Sequence, residues 1–349
     1  MCDASDNDML IIRKRIYPLL LVLTFWGILI IPVLKADVSI NKFENNFLGH
    51  NTLIKAFNTL RMRLRDRVFP NVIVGEDGWL FYTADKTINE YQGTNPYTAD
   101  ELRDIGNEWD ALAVQLQEKG IMLAVVIAPD KNTIYPEYMP TQIKRIGTIS
   151  RLDQFVDYMH TSGKALIIDL RPDLFAASEN EQVYYKTDTH WNPLAEYIAY
   201  SKIISELSQR YPELEPHPFS DYEVFNGGPV IFGIPRILGM PNIREDFLAI
   251  QPKFETGTIS REVLLSDRTN VRLSWNQEQN LPSILIYHDS FFVRVVPLLE
   301  PHFRQTTSIP NSSVPGIWSI KWVDQVNPDI VIIECVERYI NEHIYIPVN

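Results

Sequence analysis

The hydrophobic and polar positions of the chain alternate between helix-like and strand-like segments. Thr98 and Glu101 form a capping-box pattern ahead of apolar residues at helical spacing, and Gly120 closes that segment. The apolar run 122–128 has the length of a strand that is covered on both faces. Together with the later segments, this alternation predicts an α/β fold with a parallel sheet flanked by helices.

The same alternation continues through the second half of the chain. Helical spacing recurs at 152–159 and 194–207, and buried strands are predicted at 165–169, 283–287 and 330–334. The strands lead to polar residues, among them Asp169, Ser290 and Glu334. Because ligands bind outside the carboxyl ends of strands in open α/β sheets, functional residues are expected there. A hairpin with an Asp-Gly turn is predicted at 72–82.

An uncharged apolar segment, residues 16–34, precedes this α/β pattern. Its length is close to the roughly 20 residues that a helix needs to span a bilayer. Three cationic residues, 13–15, precede it, whereas only Lys35 and then Asp37 follow closely. The positive-inside rule therefore predicts a single transmembrane anchor with a cytoplasmic N-terminus.

The anchor divides the chain into a cytoplasmic segment (1–15), the anchor (16–34), a juxtamembrane lead-in helix (35–69) and an extracytoplasmic domain (70–349). A cleaved signal peptide is the alternative. The apolar stretch exceeds the usual length of about 7–15 residues for such a peptide, and Leu-Lys-Ala at 34–36 is a poor cleavage site. An uncleaved anchor is therefore favoured.

Charge and cysteine content exclude several classes of protein. The formal net charge of −12 argues against nucleic acid as a partner. Cys2 and Cys335 lie on either side of the apolar segment, so a disulfide between them is not expected. The histidines outside the candidate site show no spacing typical of a metal site. Neither a metal nor another cofactor is predicted.

Two short segments carry candidate chemistry. Asp188 lies two residues before His190, so its carboxylate can orient the imidazole as a general base. Ser290 follows a buried strand and needs such a base to become a nucleophile. Alone, the Asp-x-His pair also fits a metal-ligand pair or a surface contact, and the serine also fits a helix N-cap. Together the two segments favour a catalytic triad.

The segments Asp-Thr-His-Trp-Asn at 188–192 and Asp-Ser-Phe at 289–291 resemble the paired signatures of the alginate O-acetyltransferase family of AlgX/AlgJ type. This family lies within the SGNH hydrolase-like superfamily. Further similar segments occur at 75–81, 128–136 and 327–338, so that the resemblance covers about residues 70–340. The histidine precedes the serine along the chain, as in the circularly permuted arrangement that the family implies.

The resemblance implies an acyl-serine mechanism. Ser290 would be acylated, His190 would act as base and then as acid, and Asp188 would orient His190. The acceptor would be a hydroxyl of an extracellular or cell-wall polysaccharide, and acetyl is the expected acyl group. A multi-spanning membrane O-acyltransferase would supply that group. The implied location is the bacterial inner membrane, with the catalytic domain in the periplasm.

Two positions depart from the family pattern, and three others are candidates for binding substrate. His288 replaces a glycine that often precedes Asp-Ser, and the segment from Gly233 lacks an acidic residue. The N–H groups of Ser290 and near Gly233 are expected to form the oxyanion hole. Arg294 is expected either to bind an acidic sugar or to brace its loop. Lys131 and Tyr135 are expected to line the cleft, and a simple turn of the chain at Tyr135-Pro136 is an equal alternative for the tyrosine.

Two other functions fit the same sequence. An esterase could use the same triad to remove acyl groups from a glycan, because the two reactions differ only in whether water or sugar reaches the acyl-serine. A non-catalytic accessory subunit of an acetylation complex is suggested by the departures at His288 and Gly233. Formation of a product that depends on an acceptor would separate transferase from esterase, and a serine-directed probe would test the accessory function.

Overall fold

The computed structural model describes residues 22–27, 50–84, 87–264, 270–310 and 320–340. The chain divides into two compact units. The smaller unit comprises residues 1–66 with 238–240, and the larger comprises 67–237 with 241–349. The predicted functional residues all belong to the larger unit.

The smaller unit contains helix α1 (His50–Arg63) and a helical segment at 22–27. That segment is the only described part of the predicted anchor. No helix within the described ranges is both long and apolar enough to span a membrane. The rest of the anchor, the cytoplasmic segment and the lead-in residues 35–49 lie outside the described residues, so the anchor stays a prediction.

The larger unit contains nine α-helices in its described residues. They are α2 (Thr87–Gln92), α3 (Ala99–Glu118), α4 (Lys131–Ile134), α5 (Arg151–Ser162), α6 (Arg171–Ser178), α7 (Pro193–Leu207), α8 (Gly233–Ile237), α9 (Val296–Leu299) and α10 (Ile320–Val326). Short 3₁₀ helices occur at Pro136–Tyr138, Phe219–Asp221, Phe292–Arg294, Glu300–His302 and Glu337–Tyr339. The capping box predicted for α3 is present, because the Thr98 hydroxyl accepts from the N–H of Glu101 and the Glu101 carboxylate accepts from the N–H of Thr98.

Twelve strands form three sheets in the described residues. The strands are β1 (Val68–Phe69), β2 (Val72–Val74), β3 (Leu80–Tyr82), β4 (Met122–Ala128), β5 (Leu166–Asp169), β6 (Tyr222–Val230), β7 (Glu245–Pro252), β8 (Thr258–Leu264), β9 (Asn270–Asn276), β10 (Ser283–His288), β11 (Gln305–Pro310) and β12 (Ile330–Val336). The hairpin β2–β3, the buried strands β4, β5, β10 and β12, and the helices α3, α5 and α7 confirm the elements predicted from sequence patterns.

The main sheet has seven strands in the order β5-β4-β12-β10-β11-β9-β8. The first five are parallel, as predicted, but β9 pairs antiparallel with both β11 and β8. The expected all-parallel sheet is therefore corrected to a mixed sheet. The difference arises because β8 and β9 form an antiparallel pair that extends the sheet beyond β11. The fold class remains α/β.

Hydrophobic side chains cover both faces of this sheet. On one face, Ala124, Val126 and their neighbours pack with α7, whose inner positions include Ala199 and Ile203. On the other face, Val125 and its neighbours pack with α3 and α5. Alternate residues of each central strand thus enter two separate cores, which explains why the strands read as continuous apolar runs.

The carboxyl ends of the central parallel strands lie along one edge of the sheet. β10 leads into Asp289 and Ser290, β4 leads into Asp130 and Lys131, and β12 leads into the 3₁₀ helix Glu337–Tyr339. The parallel register of these strands brings their carboxyl ends together. This edge holds the candidate site.

Candidate active site

The turn after β10 presents Ser290 to solvent while its neighbours are buried. The Asp289 carboxylate accepts from the N–H of Phe291 and of Val336, each at 2.8 Å. The N–H of Asp289 donates to the Glu334 carboxyl group at 2.9 Å. The Asp289 side chain therefore holds the turn that contains Ser290 and also joins this turn to the neighbouring strand β12. These bonds fix the position of the serine.

His190 lies on the loop 184–192, called here the histidine loop, which leads into α7. A backbone bridge joins Tyr184 to Trp191, and the N–H of Tyr185 donates to the His190 carbonyl at 3.3 Å. The Asn192 side chain then caps α7 by accepting from the N–H groups of Leu194 and Ala195. The loop is thus closed on itself and fastened to the start of a buried helix.

The structure brings the three predicted triad residues together. His190 Nε2 lies 2.9 Å from Ser290 Oγ, and His190 Nδ1 lies 3.4 Å from Asp188 Oδ1. The proximity of Asp188 favours the tautomer with the proton on Nδ1, which leaves Nε2 free to accept the serine proton. Burial opposes ionisation of Asp188, but His190 and the N–H of Thr189 outweigh burial and lower its pKa.

Lys131 differs from the expectation that it lines the cleft. It is buried behind the histidine loop, where its ammonium group donates to the carbonyls of Tyr185, Lys186 and Asp188 at 3.0, 3.0 and 2.5 Å. Burial lowers the pKa of Lys131 to about 7, although Asp188 and Glu245 oppose this effect. Lys131 does not reach the cleft, because three converging carbonyls hold its ammonium group inside the protein.

Tyr135 also differs from its expected place in the cleft. Its ring is buried and packs against Trp79 with a centroid separation of 4.4 Å. Its hydroxyl accepts from the N–H of Val183 at 2.8 Å. Tyr135 therefore supports the segment before the histidine loop from within the core.

A cavity of about 260 Å³ opens beside Ser290 and His190. Its walls are largely aromatic, and its polar lining includes both triad and neighbouring residues. The lining residues are Tyr185, Asp188, His190, Trp191, Glu196, Phe232, Phe247, Ser290, Phe291, Val293 and Arg294. A ligand in this cavity would contact the serine and the histidine directly.

Arg294 lines the cavity as predicted for a binding residue, yet it also braces the structure. Its Nη1 donates to the Leu248 carbonyl at 3.0 Å, and its guanidinium lies 4.3 Å from the centroid of the Phe247 ring. The same Nη1 lies 3.6 Å from Glu196 Oε1. Arg294 is therefore fixed between a backbone carbonyl, an aromatic face and a carboxyl group.

Gly233 lies next to the acid of the triad. A Cβ atom at this position would be 3.8 Å from Asp188 Oδ1, and the residue begins the short helix α8. It is not among the residues that line the cavity. The N–H of Ser290 has no hydrogen-bond partner in the described part of the chain. Of the two expected oxyanion donors, only Ser290 lies directly at the cavity.

His288 is a buried structural residue. Its Nδ1 lies 2.7 Å from the Asp289 carbonyl, and its Nε2 lies 2.7 Å from Ser308 Oγ on β11. Desolvation lowers its pKa despite the nearby carbonyl and carboxylate of Asp289. His288 thus joins two strands as a neutral ring and does not face the cavity.

Several residues of the site gave no signal in the sequence. Glu245 holds the histidine loop by accepting from the N–H groups of Lys186 and Thr187 at 2.9 and 2.8 Å. Phe232 and Phe247 come from the region of the β6–β7 hairpin, in which β6 is largely exposed and β7 is mostly half-buried. No motif marks these positions, because their roles depend on how the hairpin folds over the triad.

Residues 72–230 match the family model described as an SGNH hydrolase-like domain of the acetyltransferase AlgX. Both residues of the predicted Asp-x-His pair fall within this match, whereas Ser290 lies beyond it. The predicted resemblance to the alginate O-acetyltransferase family is confirmed.

The chain is also similar to the probable alginate O-acetylase AlgJ of Pseudomonas syringae pv. tomato. It is 30% identical over 151 residues, which are 43% of this chain and 37% of that relative. The alignment with this alginate O-acetylase thus spans little more than a third of the relative's length.

Two solved structures share the fold. PatB1 of Bacillus cereus has a TM-score of 0.58 at 15% identity, and the match covers 78% of this chain and 98% of that one. The O-acetyltransferase domain of Pseudomonas putida AlgJ has a TM-score of 0.51 at 19% identity, with 78% and 92% covered. These likenesses support the SGNH-like fold.

Proposed function

We propose that the chain is a membrane-anchored O-acetyltransferase that carries an acetyl group on Ser290 and passes it to a polysaccharide hydroxyl. The contact of 2.9 Å between His190 Nε2 and Ser290 Oγ is the observation that carries this proposal. The aromatic cavity beside this contact offers room for a sugar. The similarity to alginate O-acetylases supports a polysaccharide as the acceptor.

In the first step, His190 Nε2 removes the proton of Ser290 Oγ as that oxygen attacks the carbonyl carbon of the acyl donor. The negative charge that develops on the carbonyl oxygen needs donors, and the N–H of Ser290, which has no hydrogen-bond partner among the described residues, is one. The bond to the leaving group then breaks, and His190 returns its proton to that group. The products are acetyl-Ser290 and the protonated leaving group.

In the second step, the acceptor hydroxyl approaches the acetyl carbonyl through the cavity. His190 Nε2 takes the hydroxyl proton while the hydroxyl oxygen attacks the carbonyl carbon. The bond to Ser290 Oγ then breaks, and His190 protonates that oxygen. The negative charge of Asp188 stabilises the imidazolium that forms in each step.

The donor and the location belong to the same proposal. The hydropathy of residues 16–34 supports an anchor in the bacterial inner membrane with the domain in the periplasm. An activated acetyl group would then have to be delivered from the membrane, and a multi-spanning O-acyltransferase is the expected partner.

The deciding experiment measures the intact mass of the full chain in detergent after incubation with an activated acetyl ester. We expect a gain of one acetyl group on the wild type and none on Ser290→Ala. Ser205→Ala is the matched control, because Ser205 is an exposed serine on α7 away from the cavity. It should be labelled like the wild type.

The other outcomes distinguish the remaining functions. Acetyl-Ser290 that is discharged by water at the same rate with or without a polysaccharide would favour the esterase. The absence of both an adduct and ester turnover in the wild type would exclude the proposed mechanism and favour a non-catalytic accessory subunit.

A further inference from the structure

Glu196 is a buried carboxyl group that lines the candidate active site without a hydrogen bond. It lies in the first turn of α7, and its exposed fraction is 1%. Neither of its carboxyl oxygens has a hydrogen-bond partner in the part of the chain that the structure describes. Arg294 Nη1 lies 3.6 Å from Oε1, which is an ion-pair contact but too long for a hydrogen bond, and a buried carboxyl oxygen without a hydrogen bond is unfavourable. A carboxyl group in this position is therefore a candidate for pairing with a ligand.

The surroundings of Glu196 limit the kind of ligand that fits. Burial raises its pKa to about 7, whereas the positive charge of Arg294 acts in the opposite direction. Near neutral pH the group therefore exists both as a carboxylate and as a carboxylic acid. Both forms can pair with a hydroxyl group, because a hydroxyl both donates and accepts.

A ligand that carries a carboxylate is expected to bind weakly beside Glu196. It would approach the charged Asp188 as well as Glu196, and like charges repel each other. Arg294, the one cation among the described residues that line the cavity, already contacts Glu196 and the Leu248 carbonyl. The aromatic rings of Phe232 and Phe247 add apolar surface for the flat face of a neutral ring.

We propose that Glu196 and Arg294 form an acceptor subsite that selects a neutral, hydroxyl-rich sugar over a sugar that carries a carboxylate. This inference rests on the proposed function and specifies its substrate class. A hydroxyl next to the one that is acetylated would pair with Glu196, and Arg294 would keep the carboxyl group in place. Glu196 would thus determine specificity, whereas Ser290 and His190 would carry the chemistry.

The test measures equilibrium binding to the full chain in detergent, without an acyl donor. The probes are cellohexaose and the matching hexamer of β-1,4-linked glucuronic acid, which differ only at C6, a hydroxymethyl group in the first and a carboxylate in the second. We expect cellohexaose to bind the wild type at least about tenfold more tightly. That ratio corresponds to about 1.4 kcal/mol, which is the size of the repulsion between two like charges a few ångströms apart in a solvated cleft.

Two variants of α7 make the measurement specific. Glu196→Gln should weaken cellohexaose binding roughly tenfold and reduce the preference over the uronate to about threefold or less, because the variant removes the charge. Glu206→Gln is the control, since Glu206 lies on the same helix, pairs with Lys202 and is absent from the cavity lining. It should bind both hexamers like the wild type.

The outcomes separate this inference from the proposed function. Equal or tighter binding of the uronate by the wild type, or no binding of either hexamer, would overturn the subsite even if Glu196→Gln did not fold. Unchanged affinities in a folded Glu196→Gln would do the same. Loss of the acetyl adduct would bear only on the transferase mechanism, because binding requires no adduct.

Discussion

The carboxylate of Asp188 lies beside the imidazole of His190, and its main catalytic effect is exerted through that ring. Its Oδ1 accepts from the N–H of Thr189 at 2.7 Å and lies 3.4 Å from the imidazole. An aspartate at this position favours a proton on Nδ1, and therefore a free Nε2 facing Ser290. The orientation of the ring and the reactivity of the serine are thus set by one carboxylate.

Replacement of this carboxylate tests the triad. Asp188→Asn should slow formation of the acetyl adduct by roughly 10³–10⁴-fold, because the amide favours the wrong tautomer of His190. The rate is measured by mass spectrometry at short times. Asp157→Asn on the exposed side of α5 should leave the rate unchanged. A fall of less than threefold in Asp188→Asn would contradict an orienting role for this carboxylate.

The pKa of Glu196 makes a prediction about stability. Because its folded pKa of about 7 lies above the ordinary value of 4.5, the folded state binds more protons between these two pH values. Its contribution is complete below pH 4.5 and is lost as the pH rises through 7. Relative to the wild type, Glu196→Gln should gain about 3 kcal/mol of unfolding free energy over this range.

Denaturant unfolding of both proteins at pH 4.5 and pH 7.5 measures this difference. Glu206→Gln serves again as the control and should follow the pH dependence of the wild type. A difference between Glu196→Gln and wild type that does not change with pH would mean that Glu196 keeps an ordinary pKa in the folded protein.

At the residue scale, the catalytic residues could be predicted from the sequence, but the residues that hold them in place could not. Asp188, His190 and Ser290 could be predicted because each segment has a recognisable order of residues. Glu196 and Glu245 could not, because nothing in the sequence distinguishes a buried glutamate from an exposed one. Lys131 was assigned to the cleft for the same reason, since a lysine is normally expected at the surface.

At the scale of elements, the histidine loop is held from behind by Lys131. Lys131→Met keeps a long side chain but removes this donor from the carbonyls of Tyr185, Lys186 and Asp188. The Lys186 carbonyl still accepts from the N–H of Leu80, whereas the other two carbonyls lose their donor. Each buried carbonyl left unpaired costs about 1–3 kcal/mol. We therefore expect a loss of several kcal/mol in unfolding free energy and a slower formation of the acetyl adduct.

The matched control for this variant is Lys202→Met, which removes a surface pair with Glu206. Such pairs contribute about 0–1 kcal/mol, so this control should retain nearly full stability. Denaturant unfolding and adduct formation are measured for both variants. Equal stability of the two variants would show that the histidine loop does not need the buried ammonium group.

The elements that could be predicted are those with one dominant pattern. β4, β10 and β12 are buried on both faces and read as apolar runs. β11 was missed because its buried positions include Thr306, Thr307 and Ser308, whose polar side chains hide the strand pattern. The β6–β7 hairpin was missed because β6 is largely exposed, β7 is mostly half-buried, and the register shifts between Asn226 and Pro229.

At the scale of the whole molecule, the proposed anchor determines where the domain works. The full chain should remain in the membrane fraction after a carbonate wash, whereas a chain that begins at residue 36 should be released. Protease added outside spheroplasts should digest the domain of the full chain. If both chains were released, or if the domain were protected, the proposed topology would be contradicted.

The arrangement of the whole sheet was only partly accessible from the sequence. The run of β and α patterns predicts parallel strands with crossover helices, and five strands follow this prediction. The antiparallel pair β8–β9 was not predicted, because strands with exposed polar positions resemble loops in a hydropathy pattern. Strand order could not be predicted, because it depends on pairing between distant segments.

The position of β12 between β4 and β10 has a consequence for the synthesis of the chain. This central strand is made about 200 residues after β4, so the two halves of the sheet cannot join until translation has passed residue 336. At about 5–20 residues per second, β4 waits for roughly 10–40 s. During this interval the open apolar edges of both halves are exposed to aggregation, and a nascent chain of this kind would benefit from a chaperone.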